Sequence, residues 1–223
     1  MHIRKFHELV ALLPMYLGKN PVIVEAGAFN GSDTLRLKKL FPEGVIHAFE
    51  PVPFLYECLV KKTKGVNGIL TYAYALSNIN ETALMWVAHK KNKPDTPSQA
   101  SSLRAPLGRL KDTAMQFPYT IHVPTITLDD WANKYGIKRV DFLWLDIQGM
   151  ELAVLQAAPT VMKDVSVVLI EVAFQEGYKE EPLSKEVCAW MDGQGFDPVA
   201  CDFDSAKEQV GVFFGNILFV KKR

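Results

Sequence analysis

Pro21-Val-Ile-Val-Glu25-Ala-Gly27-Ala-Phe-Asn30-Gly31 runs directly into Ser32-Asp-Thr-Leu-Arg-Leu-Lys-Lys-Leu-Phe41, and this junction decides the fold. The apolar run before Glu25 reads as a buried strand, and residues 32–41 read as a helix. Between them, Gly27 and Gly31 allow a tight turn and a close approach of backbone to ligand. Unpaired N–H groups at the helix start attract polar or anionic groups. The spacing is Gly-x-x-x-Gly, which differs from the dinucleotide pattern Gly-x-Gly-x-x-Gly. The carboxylate of Glu25 would repel a pyrophosphate but suits the ammonium of the methionyl tail of S-adenosylmethionine (SAM). Taken alone, these residues also allow an ordinary strand-to-helix turn with no ligand.

Working outward, Gly44-Val-Ile-His-Ala-Phe49 predicts a second strand ending at Glu50-Pro51, followed by a helix over 53–63. Ile69–Ala75 predicts a third strand, and Ala83–Ala88 an added hairpin strand. Tyr119–Val123 alternates as a strand, and Thr127 is a helix N-cap followed by acids in the first turn. Val140–Asp146 predicts a buried strand, 149–158 a helix, Val165–Ile170 a strand closed by Glu171, and 183–193 a helix. Segments 198–203 and 216–220 predict the last strands. Strands alternating with helices imply an α/β fold with a parallel sheet covered on both faces.

The chain has 223 residues, 48% of them hydrophobic, which suits one domain with a large core. Its 25 basic and 25 acidic residues balance, which argues against broad nucleic-acid binding through a basic surface. Cys58, Cys188 and Cys201 are odd in number and widely spaced, so they predict neither a disulfide framework nor a zinc knuckle. They read as reduced thiols of a cytoplasmic protein. Residues 1–20 predict an amphipathic lead-in helix: Arg4, Lys5 and the apolar run Leu9–Leu13 resemble a signal peptide, but His7, Glu8 and Pro14 interrupt it. No apolar stretch reaches the ~20 residues of a membrane span.

Residues 89–120 break the alternation. The polar run His89–Ser102, with prolines at 94 and 97, predicts a segment without regular structure and reads as a lid over the site. Lys90, Lys91 and Lys93 fit a solvated loop better than a phosphate site.

Glu25, Glu50, Asp146 and Glu171 each close a predicted strand. Ligands of open parallel sheets bind outside the carboxyl ends of the strands. Four acids delivered to one edge are hard to explain by packing, because buried charges are costly. Glu50 suits the paired hydroxyls of a ribose, and Pro51 weakens its alternative role as a helix cap. Ala75, after the third strand, is placed to meet an adenine edge.

Several of these pieces together resemble the FkbM-type SAM-dependent methyltransferases. They are Glu25–Gly31, Ala48-Phe-Glu-Pro51, Ala75-Leu-Ser77, Ser101-Ser-Leu103, Thr127-Leu-Asp129 and Asp146-Ile-Gln-Gly-Met-Glu151, spanning roughly residues 20–175. The resemblance implies a Rossmann-like fold with a seven-stranded, mostly parallel sheet whose last strand is antiparallel. It implies methylation of a hydroxyl on a sugar, glycolipid or other small natural product, with SAM as donor and S-adenosylhomocysteine (SAH) as product. It places Glu25, Gly27, Ala28, Asn30 and Gly31 around the methionyl group, Glu50 with Pro51 at the ribose, and Ala75 at the adenine. Asp146 would lie near the reacting methyl, with Ser101 and Ser102 lining the site. Two positions depart from the family pattern: Glu25 stands for the usual Asp, and Gln148 for a common Glu. The second removes a charge and puts metal assistance or base chemistry at that position in doubt.

Candidates for the base that takes the hydroxyl proton are Asp146, Glu171, Glu151 and His122, although Glu151 also suits a helix-start acid that supports the helix N-terminus by its charge. Asp146 is preferred because it ends a central strand. His122 has the better intrinsic pKa but lies mid-strand. Asp146 and Glu171 with Asp202 or Asp204 form no recognisable metal motif, and no metal is expected. Trp86, Trp144 and Phe213-Phe214 suit core packing more than sugar stacking. The expected partner is a small-molecule or glycan acceptor, with no nucleic acid. A nicotinamide-dependent oxidoreductase and a non-catalytic SAM- or glycan-binding module remain as alternatives.

Overall fold

The computed structural model describes residues 2–111, 114–203 and 214–222. Asp204 and Phe213 lie outside the described residues. The chain forms strands β1 (His2–Ile3), β2 (Val22–Ala26), β3 (Val45–Phe49), β4 (Ile69–Tyr72), β5 (Ala75–Leu76), β6 (Thr82–Lys90), β7 (Lys93–Pro97), β8 (Met115–Ile126), β9 (Phe142–Leu145), β10 (Val167–Ala173), β11 (Phe196–Cys201) and β12 (Phe214–Lys221). Its α-helices are α1 (Phe6–Leu12), α2 (Ser32–Leu40), α3 (Pro53–Thr63), α4 (Leu128–Tyr135), α5 (Glu151–Gln156) and α6 (Ser184–Gly193).

The main sheet has the order β1-β11-β12-β10-β9-β2-β3-β4. β2, β3, β4, β9 and β10 pair in parallel, and β12 runs antiparallel to both β10 and β11. The expected seven strands gain an eighth at one edge, where His2 and Ile3 pair with Ala200 and Cys201. The lead-in segment is therefore a short strand followed by a helix.

Alternation along the strands feeds two apolar layers. Val24, Leu143, Leu145, Val168 and Ile170 join Trp131, Leu152, Leu155 and Met191 of α4, α5 and α6. Their neighbours Ile23, Phe142, Trp144, Val167 and Leu169 join Leu9, Val10 and Leu37 of α1 and α2. A sheet covered on both faces has continuous apolar strands, as these are. Each fully buried Leu, Ile or Val contributes roughly 1.5–3 kcal/mol.

Two expectations are corrected. The third strand splits after Tyr72: Ala75 and Leu76 leave the main sheet and pair with Thr125 and Ile126 of β8. Residues 89–120 are also not one structureless segment. β5, β8, β6 and β7 form a second sheet, in which β6 and β8 pair from Thr82↔Pro124 to Lys90↔Met115. β7 carries Pro94 and Pro97, which an edge strand tolerates because its outer N–H positions need no partner. After β7, residues 98–111 hold one 3-10 turn, Gly108–Lys111, and are fastened to the rest of the fold. Trp86 and Ser102 exchange backbone hydrogen bonds of 2.8 and 3.0 Å, and Leu107 and Arg109 donate backbone N–H groups to Gly177 at 2.9 and 3.0 Å.

Helix α4 begins as its sequence dictates. The Thr127 hydroxyl oxygen accepts from the Asp130 backbone N–H at 3.1 Å, and Asn80 Oδ1 accepts the Thr127 N–H at 2.8 Å. Trp131, fully buried, follows one turn later against Phe49 and Tyr72. Thr127→Ala is expected to lower unfolding free energy by about 1 kcal/mol in urea titration, with unchanged denaturant slope.

Candidate active site

Three strand ends meet at Gly27. The N–H groups of Gly27 and Ala28 donate to the Phe49 carbonyl at 3.1 and 2.9 Å, and the Asp146 N–H donates to the Ala26 carbonyl at 3.1 Å. Gly27 has φ +87°, and a Cβ there would lie 2.0 Å from the Asp146 carbonyl oxygen. Only glycine fits. Gly31, φ +78°, caps α2, where a Cβ would meet the Leu59 side chain at 2.9 Å. Between them Phe29 takes φ +49°, unusual for a bulky residue, and its N–H donates to Glu50 Oε2 at 2.9 Å. Glu50 Oε1 accepts the Val52 N–H at 2.9 Å, so one carboxylate joins the turn after β2 to the start of α3.

A two-chambered cleft opens at this corner. The first chamber, about 590 Å³ with its open mouth included, has apolar walls from Phe49, Leu55, Leu76, Met85, Leu103 and Met150, and Glu50 at its edge. That size falls within the usual range of ligand sites. The second chamber is polar and acidic, with Glu25, Asn30, Ser32, Asp33 and Asp146. Ala26, Gly27, Phe29, Gln99 and Asp146 line both, so the chambers join beside Asp146.

Burial dominates the electrostatics. It raises Glu25 to about 8, with the negative charges of Asp33, Asp146 and Glu50 adding to the effect. It likewise raises Glu50 and Glu151 to about 8, although each accepts two backbone N–H groups. Asp146 is raised by burial, and Glu171 well above its usual range by burial and then by the charges of Asp146 and Glu151. Arg109 opposes the rise at both. Glu25 differs from the other buried acids: its Oε2 is buried without a hydrogen-bond partner of normal geometry, and the neighbouring Thr34 hydroxyl is the group that counters the rise.

Beside Asp146 the chain loops through Ile147-Gln148-Gly149. Gln148, φ +55°, donates from Nε2 to Asp146 Oδ1 at 2.9 Å and to Glu171 Oε2 at 2.6 Å. Its Oε1 accepts from Arg109 Nη2 at 3.1 Å and lies 2.9 Å from the Tyr178 hydroxyl. Glu151 accepts the N–H groups of Ile147 and Gly149 at 2.8 and 2.9 Å, which makes it the brace of this loop and not a free base.

Comparison with known proteins gives the family. The Methyltransferase FkbM domain model matches residues 25–198, which span the cleft and most of the main sheet. The chain belongs to the FkbM methyltransferase family. It is 25% identical over 178 residues to the 2-O-methyltransferase NoeI of Sinorhizobium fredii, covering 79% of this chain and 72% of that one. It is 26% identical over 201 residues to methyltransferase sdnD of Sordaria araneosa, covering 81% and 75%. Among solved structures, an rRNA methylase from Streptococcus thermophilus superposes with TM-score 0.56 at 12% identity, covering 100% of this chain and 99% of that one. A protein described as a methyltransferase from Streptococcus mutans, solved in complex with SAH, superposes with TM-score 0.55 at 12% identity and 99% coverage of both chains. At such identities the structures share the fold.

In this FkbM methyltransferase, Glu25, Gly27, Ala28, Asn30, Glu50, Pro51, Ala75, Ser101 and Asp146 all line the cleft. Gly31 shapes the turn without lining either chamber. Ser102 is a correction: its hydroxyl, fully buried, donates to the Gln148 carbonyl at 2.6 Å and accepts the Arg104 N–H at 2.9 Å. His122 is another, because β8 places it on an exposed face opposite Leu84, outside both chambers. Glu171 sits within β10 opposite Asn216 and reaches the cleft only through Gln148. Asp202 is taken by Asn216, whose backbone and side-chain N–H groups donate to it at 2.6 and 2.8 Å. Among the described residues, no group of three or more His, Cys, Asp or Glu is arranged to hold a metal, and no helix is long and apolar enough to cross a membrane. Gln99, Met85, Arg109 and Tyr178 are not among the site residues expected from the sequence; only the fold brings Gln99 and Met85 into the cleft with Asp146, and Arg109 and Tyr178 to Gln148. Gly27→Ala is expected to destabilise the protein by at least ~3 kcal/mol or leave it unfolded, measured by urea denaturation, because the backbones of β2 and β9 must separate.

Proposed function

We propose that this protein is a SAM-dependent O-methyltransferase acting on a hydroxyl of a sugar, glycolipid or other small natural product. The observation that carries the reading is the division of one cleft into an apolar chamber and an acidic one. The apolar chamber, with Ala75, Leu76, Met85 and Leu103, suits an adenine ring, and Glu50 stands where a ribose would follow. The acidic chamber suits a cationic amino-acid tail, and the buried Glu25 Oε2, which lacks a hydrogen-bond partner of normal geometry, is the group such an ammonium would satisfy. Gly27 clears the floor between them. The relative NoeI is named as a 2-O-methyltransferase, which supports oxygen as the acceptor atom. An acid-lined cleft also favours a neutral or cationic acceptor over a polyanion such as RNA.

When bound, SAM supplies a methyl group on a positively charged sulfur, so the chain needs to align an acceptor rather than activate the donor. Holding the acceptor oxygen ~3 Å from the methyl provides much of the acceleration. Asp146, at the junction of the chambers, takes the hydroxyl proton, a step that contributes roughly 10²–10⁴-fold. The irregular segment around Ser98–Leu103 roofs the first chamber and acts as the lid.

The buried acids give binding a pH signature. Glu25 and Glu50 in the unliganded protein lie near 8, above the ordinary 4.5, so the native state keeps protons that the unfolded chain releases. Stability without ligand therefore falls as pH rises from about 4.5 to about 8. A cationic ligand favours the ionised acids. SAM binding is expected to release protons at pH 7, seen by calorimetry in buffers of different ionisation enthalpy, and to tighten up to ~10-fold per pH unit for each proton released, until about pH 8. Glu25→Gln should reduce this proton release; binding that is independent of pH would refute the placement of Glu25.

Glu50→Ala is expected to weaken SAM at least ~10-fold, since a charged hydrogen-bonding partner is lost. Asp146→Ala should keep SAM affinity and lose turnover in an acceptor screen with methyl-labelled SAM. Methyl transfer to any acceptor excludes a non-catalytic binding module, and a folded protein that does not bind SAM sinks the proposal.

A further inference from the structure

We infer that Gln148 is a positioning residue that holds Asp146 and Glu171 together as one proton-accepting carboxyl pair at the junction of the two chambers. This rests on the O-methyltransferase reading above and adds to it a residue and its way of acting. Family membership does not assign the role, because the residue departs from the glutamate that the resemblance leads one to expect.

The orientation of the Gln148 amide is fixed by chemistry. Arg109 Nη2 lies 3.1 Å from one end of the amide, and a guanidinium has donors only, so that end must be the oxygen. The nitrogen then points to the acids and spends one N–H on each, at 2.9 Å to Asp146 and 2.6 Å to Glu171. Arg109 is itself held with its guanidinium carbon 3.8 Å from the centre of the Phe214 ring. The Tyr178 hydroxyl has one proton for two acceptors, the Ala100 carbonyl at 2.6 Å and Gln148 Oε1 at 2.9 Å. Behind the amide, Ser102 pins the Gln148 carbonyl at 2.6 Å, and the backbone is kept at φ +55°, a conformation that a non-glycine residue adopts only when its surroundings impose it. Gln148 is buried, so this order is not a surface accident.

Two carboxylates so close do not both ionise readily, and a shared donor lets the pair carry one charge in a defined geometry. Arg109 from the loop before β8 offsets that charge, while Glu151 of α5, Glu181 from the loop before α6 and Asp33 of α2 oppose it. Only Asp146 of the pair lines the cleft, so Glu171 acts through Gln148. In the transfer, the acceptor oxygen forms a bond to the methyl carbon, the carbon–sulfur electron pair stays on sulfur to leave a neutral thioether, and the hydroxyl proton passes to the pair.

An acceptor-free test uses two SAM analogues. SAH lacks the methyl, and sinefungin carries an ammonium where the methylsulfonium would be, so the ratio of their affinities reports negative charge aimed at the methyl position. In the wild-type chain sinefungin is expected to bind ~10-fold or more tighter than SAH, as measured by calorimetry. In Gln148→Met and Asp146→Asn the ratio should fall towards one, with SAH affinity kept within about threefold. Should Gln148→Met fail to fold, Gln148→Asn gives the same reading, since Asn accepts positive φ and its shorter amide cannot reach both acids. A ratio unchanged in a folded Gln148 variant, or a wild-type chain that binds both analogues alike, overturns the inference. A wild-type chain that binds neither overturns it too, but by removing the SAM reading beneath it.

Discussion

The contact between Gly27 and the Asp146 carbonyl is the constraint on which the site depends. A methyl group at Gly27 would stand 2.0 Å from that oxygen, so β2 and β9 end flush only because position 27 has no side chain. Their closeness puts Asp146 on the rim directly beside the glycine turn. The Phe49 carbonyl, accepting from Gly27 and Ala28, brings the end of β3 to the same point. Three acids from three strands thereby surround one cleft, although Glu25 and Asp146 stand 121 positions apart in the chain (146 − 25).

Those acids do two kinds of work, and their hydrogen bonds tell them apart. Glu50, Glu151 and Glu181 each collect two backbone N–H groups, at Phe29 and Val52, at Ile147 and Gly149, and at Gly177 and Tyr178. Such bonds offset desolvation, and they fix irregular turns that apolar packing alone would leave loose. Glu25 has no such arrangement at Oε2; the Thr34 hydroxyl beside it only partly offsets the cost of burial. A buried polar group left unsatisfied costs about 1–3 kcal/mol. Folding gives no return for that cost, whereas a bound cation would.

What could be seen in the sequence follows the reach of local chemistry. Gly27, Glu50 and Thr127 were legible because a positive φ, a strand-end acid before proline and an N-cap are each decided within a few residues. The apolar strands were legible because a sheet covered on both sides needs them. β7 was not, because Lys93-Pro-Asp-Thr-Pro97 is a strand only by being an edge, and edge position is a property of the whole sheet. Arg109 and Tyr178 were invisible for a similar reason: the register of the loop at Leu107–Arg109 against Gly177 brings them together. His122 misled because its residue type suits catalysis, while the pleat of β8 turns it to solvent.

Gln148 shows how a single departure from a family pattern can be read. At and behind the cleft, Asp146, Glu151, Glu171 and Glu181 already lie within electrostatic reach of one another, with Arg109 as the opposing positive charge. A further carboxylate in place of Gln148 would add another like charge, and it could donate a hydrogen bond only while protonated. The amide donates two at any pH, one to each acid, and still offers an oxygen to Arg109. The same volume is thus filled by a group that joins carboxylates instead of repelling them. Where burial already drives Asp146 and Glu171 towards their neutral forms, a donor that needs no proton of its own keeps the geometry of the pair independent of its charge.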